Sequence, residues 1–180
     1  MVAGTDTSAV GTCFTLLMLA RHPEIQENAY KELFEVFGDS HRNVTAEDLP
    51  NLKYLEAIIK ESLRLYPPVP VIVREVHEDV KLPTGTTLVK GVRIITNLWA
   101  MHRNHRYWGD DADRFRPERF LEGPLTHPAQ FIPFSYGMRN CLGYQYAMMS
   151  MKTALASLLR NYRVRPPAGL DPAHYHDPLR

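Results

Sequence analysis

The sequence predicts an α+β fold that is mostly helical. Apolar residues recur at helical spacing in several segments, and short β-rich runs bounded by turn residues lie between them. The composition is that of an ordinary globular protein, because 44% of the 180 residues are hydrophobic and 23% are charged. The formal net charge of +1 gives no reason to expect nucleic acid as a partner.

Cysteine content and apolar runs narrow the class of protein further. Two cysteines, Cys13 and Cys141, are too few for the disulfide scaffold of a small secreted domain. The longest strongly apolar run, residues 14–20, is far shorter than the roughly 20 residues that span a bilayer. The first residues do not have the pattern of a signal peptide.

Residues 1–20 are predicted to be the second half of a helix. This helix is apolar on nearly every face, so we expect it to be deeply buried. Its residues 3–8 read A-G-T-D-T-S, which is unusual in a buried helix because Gly weakens helices and Thr can bend them by diverting backbone hydrogen bonds. The same run could instead form a capping box at a helix start.

Three more helices are predicted in the first 66 residues. Pro23 ends the first helix and suits the first turn of a second one that reaches Phe37. Residues 45–48 carry a capping signature for a short helix. Residues 52–66 form a clear helix on which Glu61 and Arg64 lie three apart and can pair. Considered alone, such a pair is usually solvated and contributes little.

Short strands and turns are predicted next. Residues 69–76 are strand-like, and turn signals follow at residues 83–85 and 90–91. Arg74 would be an exposed strand arginine on local pattern alone. His102 is expected to be a structural hydrogen-bonding residue rather than a metal ligand.

Residues 131–143 read F-I-P-F-S-Y-G-M-R-N-C-L-G. Their apolar residues follow neither helical nor strand periodicity, so they are predicted to form a loop of fixed shape. Gly137 and Gly143 permit backbone angles or close approaches that a side chain would forbid. Cys141 precedes a helix predicted at residues 144–160, and the positive potential there favours a thiolate that binds a metal or attacks a substrate. A buried structural thiol is the alternative interpretation.

The spacing F-x-x-G-x-R-x-C-x-G is carried here by Phe134, Gly137, Arg139, Cys141 and Gly143. It resembles the haem-ligand signature of the cytochrome P450 family. The resemblance implies that Cys141 is the axial ligand of haem iron and that the other signature residues contribute to the haem site.

The A-G-x-D-T-[ST] run at residues 3–8 is similar to a motif in the long central helix of the same family. The resemblance assigns Asp6 and Thr7 to proton delivery during oxygen activation. Some members of the family carry Glu directly before the helix glycine and esterify their haem. Here that position is Ala3, so the resemblance implies haem b held without a covalent ester.

Glu61 and Arg64, together with Arg119 in a P-E-R-F stretch, resemble the family's E-x-x-R and P-E-R-F set. The resemblance implies that these three residues form one buried structural triad. It also implies that Arg74 points at a haem propionate.

Family members are much longer than this chain, which resembles their C-terminal haem-binding part, truncated at both ends. Residues 1–180 would be a partial domain, from the second half of the central helix through the ligand loop and the helix after it. The implied activity is monooxygenation of an apolar small molecule by dioxygen, with electrons from an NADPH-dependent reductase. The chain is weakly similar to the clan containing fatty-acid omega-hydroxylases. The implied location is the cytoplasmic face of the endoplasmic reticulum, with an anchor in a preceding part.

Two rival functions remain open at this point. The chain could be a haem-binding or interaction module without turnover. It could also belong to the members that rearrange peroxides without a reductase, although those tend to lack the acid–alcohol pair found here as Asp6 and Thr7. Charge is also uneven along the sequence, since residues 131–180 hold six Lys or Arg against two Asp. This is either ordinary surface variation or a basic face for an acidic partner.

Overall fold

Helices and a few short strands make up residues 2–167, which a computed structural model describes except for the side chain of Val2. The α-helices are α1 (Val2–Arg21), α2 (Pro23–Phe37), α3 (Lys53–Leu65), α4 (Leu98–Met101), α5 (His105–Trp108) and α6 (Tyr144–Leu159). The strands are β1 (Val71–Glu75), β2 (Val80–Lys81), β3 (Thr87–Leu88) and β4 (Arg93–Asn97). Single 3-10 turns lie at Leu49–Asn51, Pro117–Phe120, Pro128–Gln130 and Gly137–Arg139. The predicted α+β, mainly helical class is confirmed.

The apolar core lies where α1, α2, α3 and α6 pack together. Helix α2 has Pro23 in its first turn and is capped after Phe37 by Gly38, whose N–H donates to the Phe34 carbonyl at 2.7 Å. Its apolar residues at helical spacing are all buried: Ile25, Ala29, Leu33 and Phe37. Burying a side chain of leucine size stabilises the fold by about 1.5–3 kcal/mol.

A glycine permits α1 to pack closely on its neighbours. Gly11 is buried, and a Cβ atom there would lie 3.0 Å from the Met151 Sδ atom and 3.4 Å from a methyl group of Leu63. Gly11 therefore sets how closely α1 approaches α3 and α6.

The expected deep burial of α1 is wrong for its first half. Met18 and Leu19 are buried, whereas residues 3–6, 9, 10 and 13 are exposed. An apolar sequence shows that burial is possible, but only packing partners bring it about, and α1 meets α2, α3 and α6 mainly through its second half.

The polar run of α1 lies inside an unbroken helix. The Thr7 hydroxyl donates to the Ala3 carbonyl at 2.7 Å, and Thr15 makes the same i to i−4 bond to Gly11 at 2.8 Å. In both bonds a threonine hydroxyl shares a backbone carbonyl with the helix, as expected from the threonines in the sequence.

The short helix predicted from residues 45–48 is wrong. The Asp48 carboxylate accepts the Thr45 N–H at 2.8 Å, as in a capping box, but it also binds Arg42 through two bonds of 2.7 Å. Pro50 has no N–H to extend a helix. The segment is a turn followed by a 3-10 turn.

The largest sheet element is an antiparallel pair of β1 and β4, in which Arg74 lies opposite Ile94. A small hairpin of β2 and β3 turns at Gly85, with φ of 87°. Strand β4 ends at Asn97 because its side chain caps α4, accepting the Ala100 N–H at 3.0 Å. This pair of strands places Arg74 beside the loop that carries Cys141.

Candidate functional site

Residues 131–143, called the cysteine loop here, are closed by their own backbone hydrogen bonds. The Ser135 N–H donates to the Ile132 carbonyl at 2.9 Å. The Cys141 N–H then donates to the Phe134 carbonyl at 2.8 Å. These bonds give the loop a defined shape without helix or strand periodicity.

The two glycines of the loop serve different purposes. Gly137 has a φ of 82°, in the left-handed region that side chains avoid. Gly143 has an ordinary φ of −92°, so its backbone does not require glycine. A Cβ atom at Gly143 would instead lie 4.0 Å from the Cys141 Sγ atom. A side chain at this position would therefore touch the sulfur at ordinary van der Waals distance, and glycine leaves that space open.

Cys141 is exposed directly before the N-terminus of α6. Met138 and Leu142 beside it are fully exposed. The Phe134 ring packs edge-on against Tyr144, with centroids 4.6 Å apart, and so braces the loop against the start of the helix. A buried structural thiol, the alternative left open by the sequence, does not fit this exposed position.

Arg74 of strand β1 contacts the cysteine loop, which itself carries Arg139. Arg74 donates from its Nη2 atom to the Ser135 Oγ atom at 3.1 Å and, at 3.4 Å, to the carbonyl of Arg139. Both arginine side chains are exposed. The structure thus brings Arg74 to the loop on which Arg139 and Cys141 lie.

The groups of the cysteine loop fit the chemistry of haem. A thiolate can bind the iron, the apolar Met138 and Leu142 can cover part of the macrocycle, and Arg74 and Arg139 can pair with propionates. In residues 2–167, no group of three or more His, Cys, Asp or Glu side chains gathers that could hold a bare metal ion.

Glu61, Arg64 and Arg119 form a buried ion network, although the local pattern alone suggested a solvated pair. Glu61 and Arg64 are both 0% exposed. Arg64 binds the Glu61 carboxylate through two bonds of 2.7 and 2.8 Å, and the Arg119 Nε atom donates to the same carboxylate at 2.9 Å. The structure therefore brings together the three residues that the resemblance groups as a triad.

Backbone carbonyls complete the network around Arg64. Its Nη1 atom donates to the carbonyls of His102 and Ala112, each at 2.6 Å, and its Nη2 atom donates to the Arg114 carbonyl at 3.1 Å. A buried guanidinium needs such partners for all its N–H groups, since an unpaired buried donor costs stability.

Asp111 belongs to the network but was not predicted from the sequence. Its carboxylate pairs with Arg119 at 3.3 Å and with Arg116 at 2.8 Å. Partial burial acts to raise the pKa of Asp111, but the hydrogen bond from Arg119 and the charges of both arginines outweigh it, so the pKa is lowered. One acid in a D-D-x-D run has no local signal that would single it out.

His102 connects the ion network to the cysteine loop. Its carbonyl accepts from Arg64, and its ring Nε2 atom accepts the N–H of Ile132 at 3.0 Å. Burial, reinforced by the charges of Arg64 and Arg103, lowers the pKa of His102 to about 4. The ring is therefore neutral near pH 7, and His102 is the structural hydrogen-bonding residue that the sequence suggested.

Asp6 and Thr7 lie in the first half of α1, where Asp6 is exposed and Thr7 is partly exposed. The Thr7 hydroxyl bonds within its own helix. Among the side chains of residues 3–167, no hydrogen bond joins either residue to the cysteine loop. The structure does not bring this pair together with Cys141.

None of the helices in residues 2–167 has the length and apolar character needed to cross a membrane.

Comparison with known proteins identifies the family. The cytochrome P450 family profile matches residues 1–178. Probable cytochrome P450 313a1 of Drosophila melanogaster is 47% identical over 167 residues, which is 91% of this chain and 34% of the relative. Cytochrome P450 4V2 of Mus musculus is 45% identical over 166 residues, covering 91% of this chain and 31% of the relative. The chain thus spans about a third of the length of these relatives. The chain belongs to the cytochrome P450 family, whose cofactor is haem.

Proposed function

We propose that this chain is the haem-binding part of a monooxygenase that inserts one oxygen atom of dioxygen into an apolar small molecule. The observation that carries the proposal is the position of Cys141. Cys141 is exposed on a hydrogen-bonded loop, three residues before α6 begins, and the apolar side chains of Met138 and Leu142 on the same loop are fully exposed. When bound, haem activates dioxygen at its iron, and a thiolate ligand promotes cleavage of the O–O bond.

The residues of the cysteine loop hold and orient the sulfur. The bond from the Cys141 N–H to the Phe134 carbonyl sets the direction of the cysteine, and the start of α6 provides positive potential for a thiolate. Gly143 adds no side-chain atom beside the sulfur. Arg74 and Arg139 provide charges for the haem propionates.

Asp6 and Thr7 are the groups for proton delivery. The Thr7 hydroxyl can pass on a proton at its Oγ1 atom by turning away from the Ala3 carbonyl, to which it now donates. The neighbouring Asp6 carboxylate is exposed and can take a replacement proton from water.

The cofactor and partners follow from the same proposal. The cofactor is haem b without a covalent ester, because Ala3 carries no carboxylate. The electron donor is an NADPH-dependent reductase, and the protein works at the cytoplasmic face of the endoplasmic reticulum membrane. Acid extraction of the denatured holoprotein should release all of the haem, and haem that stays attached to peptide would contradict the absence of an ester.

The test of the iron ligand compares the two cysteines in the full-length protein, meaning this chain extended to the length of its relatives. Cys141→Ser should abolish the red-shifted Soret band of the ferrous carbon monoxide complex, because a hydroxyl does not replace a thiolate. Cys13→Ser is the matched control and should retain the band, since Cys13 lies on the exposed side of α1. Retention of the band in Cys141→Ser would overturn the proposal.

A further inference from the structure

We infer that His102 is a positioning residue that sets the orientation of Cys141 by fastening the start of the cysteine loop to the buried ion network. The inference rests on the proposed function, because it assumes that the orientation of the Cys141 sulfur matters for binding iron. The structure shows two separate anchoring contacts of His102, one through its ring and one through its backbone.

The ring of His102 acts on the loop. Its Nε2 atom accepts the N–H of Ile132, a buried residue at the second position of the loop. The Ile132 carbonyl in turn accepts the Ser135 N–H. Phe134, the residue before Ser135, accepts the Cys141 N–H through its carbonyl. A short series of bonds therefore leads from the imidazole to the backbone of Cys141.

The backbone of His102 is held by the ion network. Its carbonyl accepts from the Arg64 Nη1 atom at 2.6 Å, and its N–H donates to the Leu98 carbonyl at 2.9 Å. The Phe131 ring packs against the imidazole with centroids 5.6 Å apart. The ring is thus a fixed reference point, and the loop is positioned relative to it.

The protonation state of the ring agrees with this role. An Nε2 atom that accepts a hydrogen bond requires the neutral ring with its proton on Nδ1. That Nδ1 atom is buried and has no partner among the described residues. The contact to Ile132 is therefore the single hydrogen bond of the His102 side chain among those residues, and its loss would leave the Ile132 N–H buried and unpaired.

Arg74 provides a second attachment of the loop, but a weaker one. Its contacts to Ser135 and to the Arg139 carbonyl are 3.1 and 3.4 Å long and exposed to water. The bond from Ile132 to His102 is buried, so water does not compete for it. Among the hydrogen bonds that these two residues make to the cysteine loop, we therefore place the dominant attachment at His102.

The test uses the full-length protein loaded with haem and compares three variants. His102→Phe keeps an aromatic ring but removes the acceptor, whereas His102→Gln keeps an acceptor at a similar reach. Leu33→Ala is the control for general destabilisation, because Leu33 is fully buried on α2 away from the loop. The measurement is the share of ferrous carbon monoxide complex in the red-shifted, thiolate-ligated form, at equal haem content.

His102→Phe should shift most of the complex to the blue-shifted form, while His102→Gln restores most of the red-shifted band. Leu33→Ala should leave the band unchanged although it also lowers stability. Hydrogen exchange gives a second reading that does not depend on haem, since the Ile132 amide should exchange about tenfold to a hundredfold faster in His102→Phe. An unchanged band together with an unchanged Ile132 exchange rate would overturn the inference.

A further variant, His102→Asn, covers the case in which His102→Phe does not fold. If His102→Phe does not fold, His102→Asn replaces it, because its shorter side chain does not reach Ile132 and should behave as His102→Phe is expected to. An equal band in His102→Asn and His102→Gln would then overturn the inference. Failure of the proposed function is seen separately, as a band retained in Cys141→Ser.

Discussion

The ion network and the cysteine loop are the two chemically distinctive regions of the molecule, and they differ in burial. Glu61 and Arg64 are fully buried, and groups from residues 61–119 satisfy their charges and N–H groups. Cys141 is exposed, and its loop is held mainly by backbone bonds. We therefore expect changes in the network to alter stability and changes in the cysteine loop to alter chemistry.

The largest expected effect on stability is in the network. Arg64→Ala would leave the Glu61 carboxylate buried with only part of its charge compensated, so the free energy of unfolding should fall by about 3–5 kcal/mol. Arg119→Ala should also be destabilising, and the double variant should lose less than the sum of the two, because both arginines bind one carboxylate. Denaturant unfolding of the full-length protein measures these changes.

Arg93→Ala is the matched control for that experiment. Arg93 pairs with Glu75 at 3.8 Å on the exposed surface of the strand pair, where water screens both charges. Its removal should hardly change stability. Strict additivity of Arg64→Ala and Arg119→Ala would show that the two residues act separately.

A smaller effect on stability should appear as a pH dependence caused by His102, which joins the ion network to the cysteine loop. Burial lowers the pKa of His102 from its ordinary value of 6.5 to about 4 in the folded protein. Between these values the unfolded state binds more protons, so stability should fall by about 3 kcal/mol as the pH is lowered from 6.5 to 4. His102→Gln should lack this part of the dependence. If the stability of the original protein and of His102→Gln changed equally with pH, His102 would not be the source of this dependence.

The smallest effect on stability is expected for Asp6→Asn and Thr7→Ala, because both residues lie toward the exposed end of α1. Their effect should instead be on chemistry: less hydroxylated product per reductant consumed, and more hydrogen peroxide released. The measurement is that ratio in the full-length enzyme, alongside haem content. If the ratio stays at its original value in both variants, Asp6 and Thr7 do not deliver protons.

Much of the helical framework could be predicted from the sequence, since its signals are local. Helix α2 has the predicted bounds, and α3 and α6 end within a residue of theirs, because apolar spacing and prolines mark them. The cysteine loop was also predictable as irregular structure, and its need for glycine is visible at Gly137. The burial of α1 was not, because burial depends on which elements pack against a helix.

What the sequence by itself determined is the set of local elements and the Cys141 signature, because spacing along the chain encodes both. Only the tertiary structure decided the environment of the charges. Arg64 and Glu61 have the spacing of an ordinary surface pair, and only contacts with residues 102–119 make them a buried network. His102 meets Ile132 across 30 residues of chain. A charge or hydrogen bond takes its energy from all the atoms around it, and those atoms are brought together only by the folded chain.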